Sequence, residues 1–122
     1  MLSALQIYMI RFLNRKFKYS IAFIILVIIA VFVFWKTSVV LTLVLILSAV
    51  LKSKIIPIKK EFLWFIISGA VGSLGESLIM TGGTWAYSYS DIFNFPLWLP
   101  FVWGLAGIVG ISLYQGITET EL

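Results

Sequence analysis

Residues 62–86, FLWFIISGAVGSLGESLIMTGGTWA, form one long apolar run that contains a single carboxyl group, on Glu76. A helix of about 20 apolar residues matches the roughly 30 Å hydrocarbon core of a bilayer. The run therefore predicts a membrane-spanning helix. A carboxyl at membrane depth is costly and is by default a candidate functional group, so Glu76 is the first residue for which a role has to be found.

The composition of the whole chain agrees with this reading. The 122 residues are 61% hydrophobic and 11% charged, with a mean hydropathy of +1.10, whereas soluble domains are about half apolar and about a quarter charged. Residues 1–122 thus predict a single integral membrane domain. Because there is no Cys or His, we expect neither a metal site nor a cofactor. The basic residues flank apolar segments, so we expect contact with lipid headgroups and not with nucleic acid.

The distribution of apolar segments predicts an all-α membrane protein with four transmembrane helices in two antiparallel hairpins. The first hairpin covers 19–51 and the second covers 62–118. The predicted spans are Tyr19–Trp35, Thr37–Leu51, Phe62 to about Ala86, and about Leu97–Gly116.

The basic residues predict the orientation of these spans. Residues 1–18 and the connection 52–61 each carry four Lys or Arg side chains, while the other two connections hold only Lys36. Cytoplasmic loops are enriched in Lys and Arg, so both termini are expected in the cytoplasm and 52–61 forms a basic cytoplasmic loop. Residues 1–18 are either a helix lying along the membrane surface or a frayed basic extension.

Small residues predict how the second hairpin packs. Glycines recur at steps of three in both of its helices, and small residues allow two helix backbones to approach closely in lipid. The predicted packing residues are Gly69, Gly72 and Gly75 in the third helix and Gly104, Gly107 and Gly110 in the fourth.

The loop 85–100 supplies the groups that we expect around Glu76. The carboxyl either keeps its proton, accepts hydrogen bonds from neighbouring rings and amides, or faces a water-filled cleft, and each outcome implies a polar pocket. The rings also fit an ordinary aromatic belt at headgroup level. The predicted ligand-binding residues are Glu76, Trp85, Tyr87, Asp91, Asn94, Trp98 and Trp103, with Glu76 and Asp91 as the catalytic candidates.

One ungapped pattern in the last third of the chain resembles a known family. Gly83-x3-Tyr87-x3-Asp91-x6-Trp98-Leu99-Pro100-x6-Gly107 is similar to the final helix pair of the Insig family, the insulin-induced gene proteins and their bacterial relatives. The resemblance implies a non-catalytic protein that holds sterol or diacylglycerol-type lipids between helices and docks onto a partner membrane protein. That family typically has six spanning helices, whereas this chain has room for four. A second pattern, a membrane Glu at 76 followed by W-x-Y at 85–87 and P-x-W at 96–98, resembles that of small uncharacterised prokaryotic membrane proteins and, more distantly, that of carotenoid hydratases and cyclases that use buried acids.

Three functions follow as hypotheses. The first is a non-catalytic protein that binds a membrane lipid, a partner membrane protein or a second copy of itself in a groove around Glu76. The second is a membrane-embedded isoprenoid or carotenoid-type hydratase or cyclase, in which Glu76 is the general acid and Asp91 positions water. The third is a small proton- or ion-coupled transporter that acts as an oligomer.

Overall fold

A computed structural model describes residues 3–118, and within that range the side chains outside 8–14. Its four α-helices are α1 (Ala4–Phe34), α2 (Ser38–Ile55), α3 (Glu61–Met80) and α4 (Leu99–Thr118). In the described range there is no β-strand, only an isolated bridge between Ile92 and Phe95. The prediction of an all-helical chain is thus confirmed for the part of the chain that the structure covers.

Each of the four helices contains a segment that is long and apolar enough to cross a membrane. In α1 that segment is Arg15–Phe34, but the helix begins at Ala4 and continues through residue 18 without a break. Ser3 caps it: the Ser3 hydroxyl accepts a hydrogen bond from the Gln6 amide, and the Gln6 side chain accepts one from the Ser3 amide. This reciprocal box satisfies two backbone donors, so residues 4–18 are the first turns of α1 and not a separate helix.

The connection between α2 and α3 is shorter than predicted. Residues 52–55 belong to the last turn of α2 and Glu61 begins α3, so the loop is 56–60 and not 52–61. The Lys52 ammonium contacts the Glu61 carboxylate, and the Lys52 side chain is fully buried. Lys52 therefore lies in α2 and not in the predicted loop, and Glu61 compensates its charge within the fold.

The third helix ends at Met80, six residues before the predicted limit at Ala86. The Gly82 amide donates to the Ile79 carbonyl and Gly83 has φ +84°, a conformation that glycine adopts without steric cost. Glu76 thus lies four residues, or about 6 Å, from the end of α3. Glu76 is therefore closer to the end of its helix than the predicted span, which ended near Ala86, had indicated.

Helix α4 is the central element of the bundle. It packs against the other three helices, whereas α3 makes extended contact only with α4. Leu105 and Ile108 of α4 belong to the same buried apolar cluster as Leu41 and Leu45 of α2. Large apolar side chains are exposed along the outer faces of α1, α2 and α3, a distribution that suits helices surrounded by lipid tails.

The two ends of the bundle differ in character. At the end that we call the basic end, Lys16 of α1 donates to Gln115 of α4 over 2.6 Å and Lys52 meets Glu61. At the opposite end, which we call the loop end, residues 81–98 pass over the turn between α1 and α2, where the rings of Trp35 and Tyr89 lie 5.6 Å apart. Glu76 belongs to the loop end.

Four of the six predicted packing glycines lie in close contacts between α3 and α4. A Cβ on Gly69 would lie 2.6 Å from the Pro100 carbonyl oxygen, and one on Gly104 would lie 2.8 Å from the Phe65 ring. Cβ atoms on two others would overlap a neighbouring side chain, Trp103 for Gly72 and Ser68 for Gly107.

The other two predicted packing glycines were misassigned. Among the described residues, no atom outside their own helix lies within 4 Å of a Cβ built on Gly75 or Gly110. A step of three residues turns a helix by about 300°, so the third glycine of each series points about 120° away from the first. The sequence also missed Gly116, whose Cβ would lie 2.7 Å from the Phe17 amide nitrogen where α4 meets α1.

Candidate functional site

The Glu76 carboxylate is held by three aromatic side chains. Its Oε1 accepts hydrogen bonds from the Tyr87 hydroxyl and, over 3.2 Å, from the Trp85 indole nitrogen. Its Oε2 accepts one from the Trp103 indole nitrogen over 2.8 Å. Glu76, Trp85, Tyr87 and Trp103 form the group that we call the Glu76 cluster. Of the fates expected for the carboxyl, the structure shows the one in which rings donate hydrogen bonds.

Three separate features of the chain bring these side chains together. The turn at 81–84 ends α3 and returns the chain, so that Trp85 and Tyr87 reach back to the last turns of the same helix. Trp103 comes from α4 and lies against Gly72, one helical turn before Glu76. Because Gly72 has no side chain, the Trp103 indole crosses α3 closely enough to reach the carboxylate.

Tyr87 acts in this cluster as a neutral donor. Burial raises the pKa of the Tyr87 hydroxyl above its usual range, and its hydrogen bond to the Glu76 carboxylate and the charge of that group raise the pKa further. The proton therefore stays on the Tyr87 oxygen at any physiological pH.

A shallow apolar groove leads away from the cluster. One part of it, of about 360 Å³, is lined by Glu76, Trp85 and Trp103 together with residues of α3. A second part, of about 380 Å³, continues along α3 and α4 towards Ser68 and Gly107. Both parts share Val71, Gly72 and Trp103. We call the whole feature the α3–α4 groove; its surface is almost entirely apolar, with the carboxylate at one end.

Asp91 does not join the cluster, which corrects its predicted role beside Glu76. Its Oδ2 accepts hydrogen bonds from the Ser38 hydroxyl over 2.7 Å and from the Leu97 amide over 2.9 Å. Both bonds lower the pKa of the Asp91 carboxyl, the one from Leu97 more strongly. Asp91 thus fastens the loop to the first residue of α2, where a negative charge also interacts favourably with the helix dipole.

This attachment makes a prediction about pH. Because the folded-state pKa of Asp91 lies below its ordinary value of 3.8, its contribution to stability is present above that value and is lost as the pH falls through the folded pKa. We expect Asp91→Asn to lower the thermal unfolding midpoint at neutral pH and to flatten its decline below pH 3.8, and Ser38→Ala to have a smaller effect in the same direction. Parallel pH profiles for wild type and Asp91→Asn in detergent would contradict the assignment.

Asn94 and Trp98 also hold the loop and do not line the groove, contrary to prediction. The Asn94 amide donates to the Ser77 carbonyl over 3.0 Å, and its Oδ1 accepts from the Ser77 hydroxyl. Trp98 is only 6% exposed and packs edge-on behind Tyr87, with ring centroids 5.8 Å apart. Both residues therefore act indirectly, by fixing the loop that presents Tyr87.

The pair formed by Lys52 and Glu61 is a polar feature that the sequence reasoning missed. Glu61 Oε1 is buried without a hydrogen-bond partner, and an apolar groove of about 350 Å³ between α2, α3 and α4 passes beside it. The sequence did contain a signal for this pair, because Lys52 and Glu61 carry opposite charges and lie at the two ends of a short connection.

Metal binding finds no support in the described residues, among which no group of three or more Asp or Glu side chains is placed to hold an ion. Comparison of the chain with protein-family models, curated proteins and solved structures finds no match. The resemblance to the Insig family stays a prediction, and the function has to be argued from the Glu76 cluster and its groove.

Proposed function

We propose that the protein is a four-span membrane protein that binds a lipid without catalysis in the α3–α4 groove. The two hairpins cross the bilayer with the basic end and both termini in the cytoplasm. The loop end then lies at the opposite surface, and Glu76 sits at headgroup level there. A lipid would place its headgroup beside the Glu76 cluster and one acyl chain along the groove.

The observation that carries this proposal is the position of a fully oriented carboxylate at the end of an apolar groove. Three donors fix the carboxylate, so it is preorganised to meet a ligand without rearrangement. Ligand sites are typically apolar with a few well-placed polar groups. Trp85 and Trp103 are 43% and 39% exposed, which leaves both rings accessible from the groove.

The enzymatic hypothesis has less support. It assigned to Asp91 the task of positioning water near Glu76, but Asp91 binds Ser38 and Leu97 instead. Acid–base chemistry on an alkene needs a proton donor and a second group for the cation or the water. In the described residues the cluster offers Glu76 with neutral rings around it, an arrangement that suits holding a ligand better than proton transfer. The transport hypothesis likewise gains no observation that favours it.

Filling the groove tests the proposal. We expect Val71→Trp to abolish retention of a tightly bound lipid, because Val71 is exposed and lines both parts of the groove without lying between the helices. The measurement is native mass spectrometry of protein purified in mild detergent, with the number of retained lipids counted. The matched control is Leu78→Trp, which adds the same ring at another exposed position of α3 outside the groove.

Two outcomes would contradict lipid binding in this groove: equal lipid retention by Val71→Trp and Leu78→Trp, or no retained lipid on the wild-type protein. A stable dimer that is lost in Val71→Trp would indicate instead that a second copy of the chain occupies the groove, as the partner-binding form of the hypothesis expects.

A further inference from the structure

In its ionised form the Glu76 carboxyl carries a negative charge that no described Lys or Arg side chain neutralises. Its three hydrogen-bond donors are neutral groups, and none of the described Lys or Arg side chains forms a salt bridge with it. Lys36, the basic residue at the loop end, lies 5.2 Å from the centre of the Trp35 ring and belongs to the turn between α1 and α2. A carboxylate at the edge of a bilayer without a counter-charge favours a cationic ligand.

The hydrogen bonds leave room for one more donor. A carboxylate offers about four lone-pair sites; Oε1 accepts two hydrogen bonds, and Oε2 accepts one, from Trp103. The unused capacity is therefore on Oε2. Because Glu76 and Trp103 both line the groove, a donor that enters along the groove can reach this oxygen.

The neighbouring rings also suit a cation. Ammonium groups are attracted to the faces of Trp rings, and Trp85 and Trp103 are both partly exposed and both line the groove. An anionic headgroup would instead meet the Glu76 carboxylate as a like charge. A hydroxyl would satisfy the lone pair without balancing the charge.

We infer that the α3–α4 groove selects lipids whose headgroup ends in a primary ammonium, with one N–H donated to Glu76 Oε2. This inference rests on the proposed function, and adds to it the class of headgroup. The charge of the ammonium balances that of the carboxylate, and its N–H fills the remaining acceptor site. A quaternary ammonium supplies the charge without the hydrogen bond and therefore binds less tightly.

The test compares lipids with identical acyl chains on the purified wild-type protein by native mass spectrometry. We expect phosphatidylethanolamine to bind about tenfold more tightly than phosphatidylglycerol, because a hydrogen bond to a charged group contributes about that much. Stepwise N-methylation of phosphatidylethanolamine keeps the charge and removes N–H donors, so affinity should fall most at phosphatidylcholine, where the last donor is lost. Equal affinities across these headgroups would overturn the inference and leave groove binding of lipid intact.

The variant Glu76→Gln separates headgroup selection from binding in the groove. The amide keeps the size of the side chain and an oxygen for the rings, but removes the charge. We expect the affinity for phosphatidylethanolamine to fall towards that for phosphatidylglycerol, so that the preference between the two lipids is about twofold or less, a difference within about 0.4 kcal/mol. An unchanged preference in a folded variant would overturn the inference. If the wild-type protein binds none of these lipids, that result contradicts the proposed function as well as this inference.

A competition experiment distinguishes a lipid ligand from a free amine. Glycerophosphoethanolamine carries the same headgroup without acyl chains, and at equimolar concentration it should not displace bound phosphatidylethanolamine. If it does, the groove contributes nothing to affinity and a lipid is not the ligand.

Discussion

We expect Glu61→Gln to lower the free energy of unfolding by about 3–5 kcal/mol, because removing one partner of a buried ion pair leaves the other charge uncompensated. The Lys52 side chain has no exposed surface and that of Glu61 is 12% exposed. Glutamine keeps the volume of Glu61 but cannot balance the ammonium. The measurement is an unfolding titration with sodium dodecyl sulfate in mixed micelles, followed by circular dichroism.

The double variant Lys52→Met with Glu61→Gln provides the decisive comparison. It removes both charges and keeps the stem of residue 52, so most of the lost stability should return. Lys54→Met is the matched control, since Lys54 is an exposed lysine in the same last turn of α2, and surface substitutions usually change stability by less than about 0.5 kcal/mol. If the single and double variants unfold at the same point, Glu61 does not compensate Lys52.

The second large effect is expected at Gly69. Gly69→Val should destabilise the protein by about 1–3 kcal/mol or more, because overpacking a close contact forces the backbone to move. The new Cβ would lie 2.6 Å from the backbone oxygen of Pro100, an atom that cannot rotate away. Since α3 makes extended contact only with α4, its position depends on this interface. Thermal unfolding in detergent measures the loss.

Gly75→Val is the control, because it introduces the same side chain in the same helix at a position where no described atom outside α3 lies within 4 Å of the new Cβ. We expect its midpoint to stay near that of wild type. Equal destabilisation by both variants would mean that the α3–α4 contact is not the cause.

The number of helices was predicted from the sequence, but the residues at which the helices end were predicted only in part. Apolar runs of about 20 residues predict spans directly because bilayer thickness sets their length. The third span was extended beyond the turn at 81–84 to Ala86, because hydropathy does not register where backbone hydrogen bonds stop. Lys52 was assigned to a loop for a similar reason: the partner that permits its burial lies across the connection.

The candidate site was predicted in the same uneven way. A lone carboxyl near several aromatic residues indicated a cluster, and Glu76, Trp85, Tyr87 and Trp103 do meet. Asp91, Asn94 and Trp98 were grouped with them only because they share a loop. The path of a loop is fixed by turns and individual hydrogen bonds, here to Ser38 and Ser77, and no periodicity in the sequence encodes that path.

The sequence by itself determined that this chain forms long apolar helices and that Glu76 would need polar partners, because hydrophobicity and the cost of a charge in an apolar environment are properties of the residues alone. The tertiary structure decided which partners Glu76 has, which glycines form contacts and which lysine is buried. Those outcomes depend on the angle at which each side chain leaves its helix and on which neighbour it then meets, and neither is a local property of the chain.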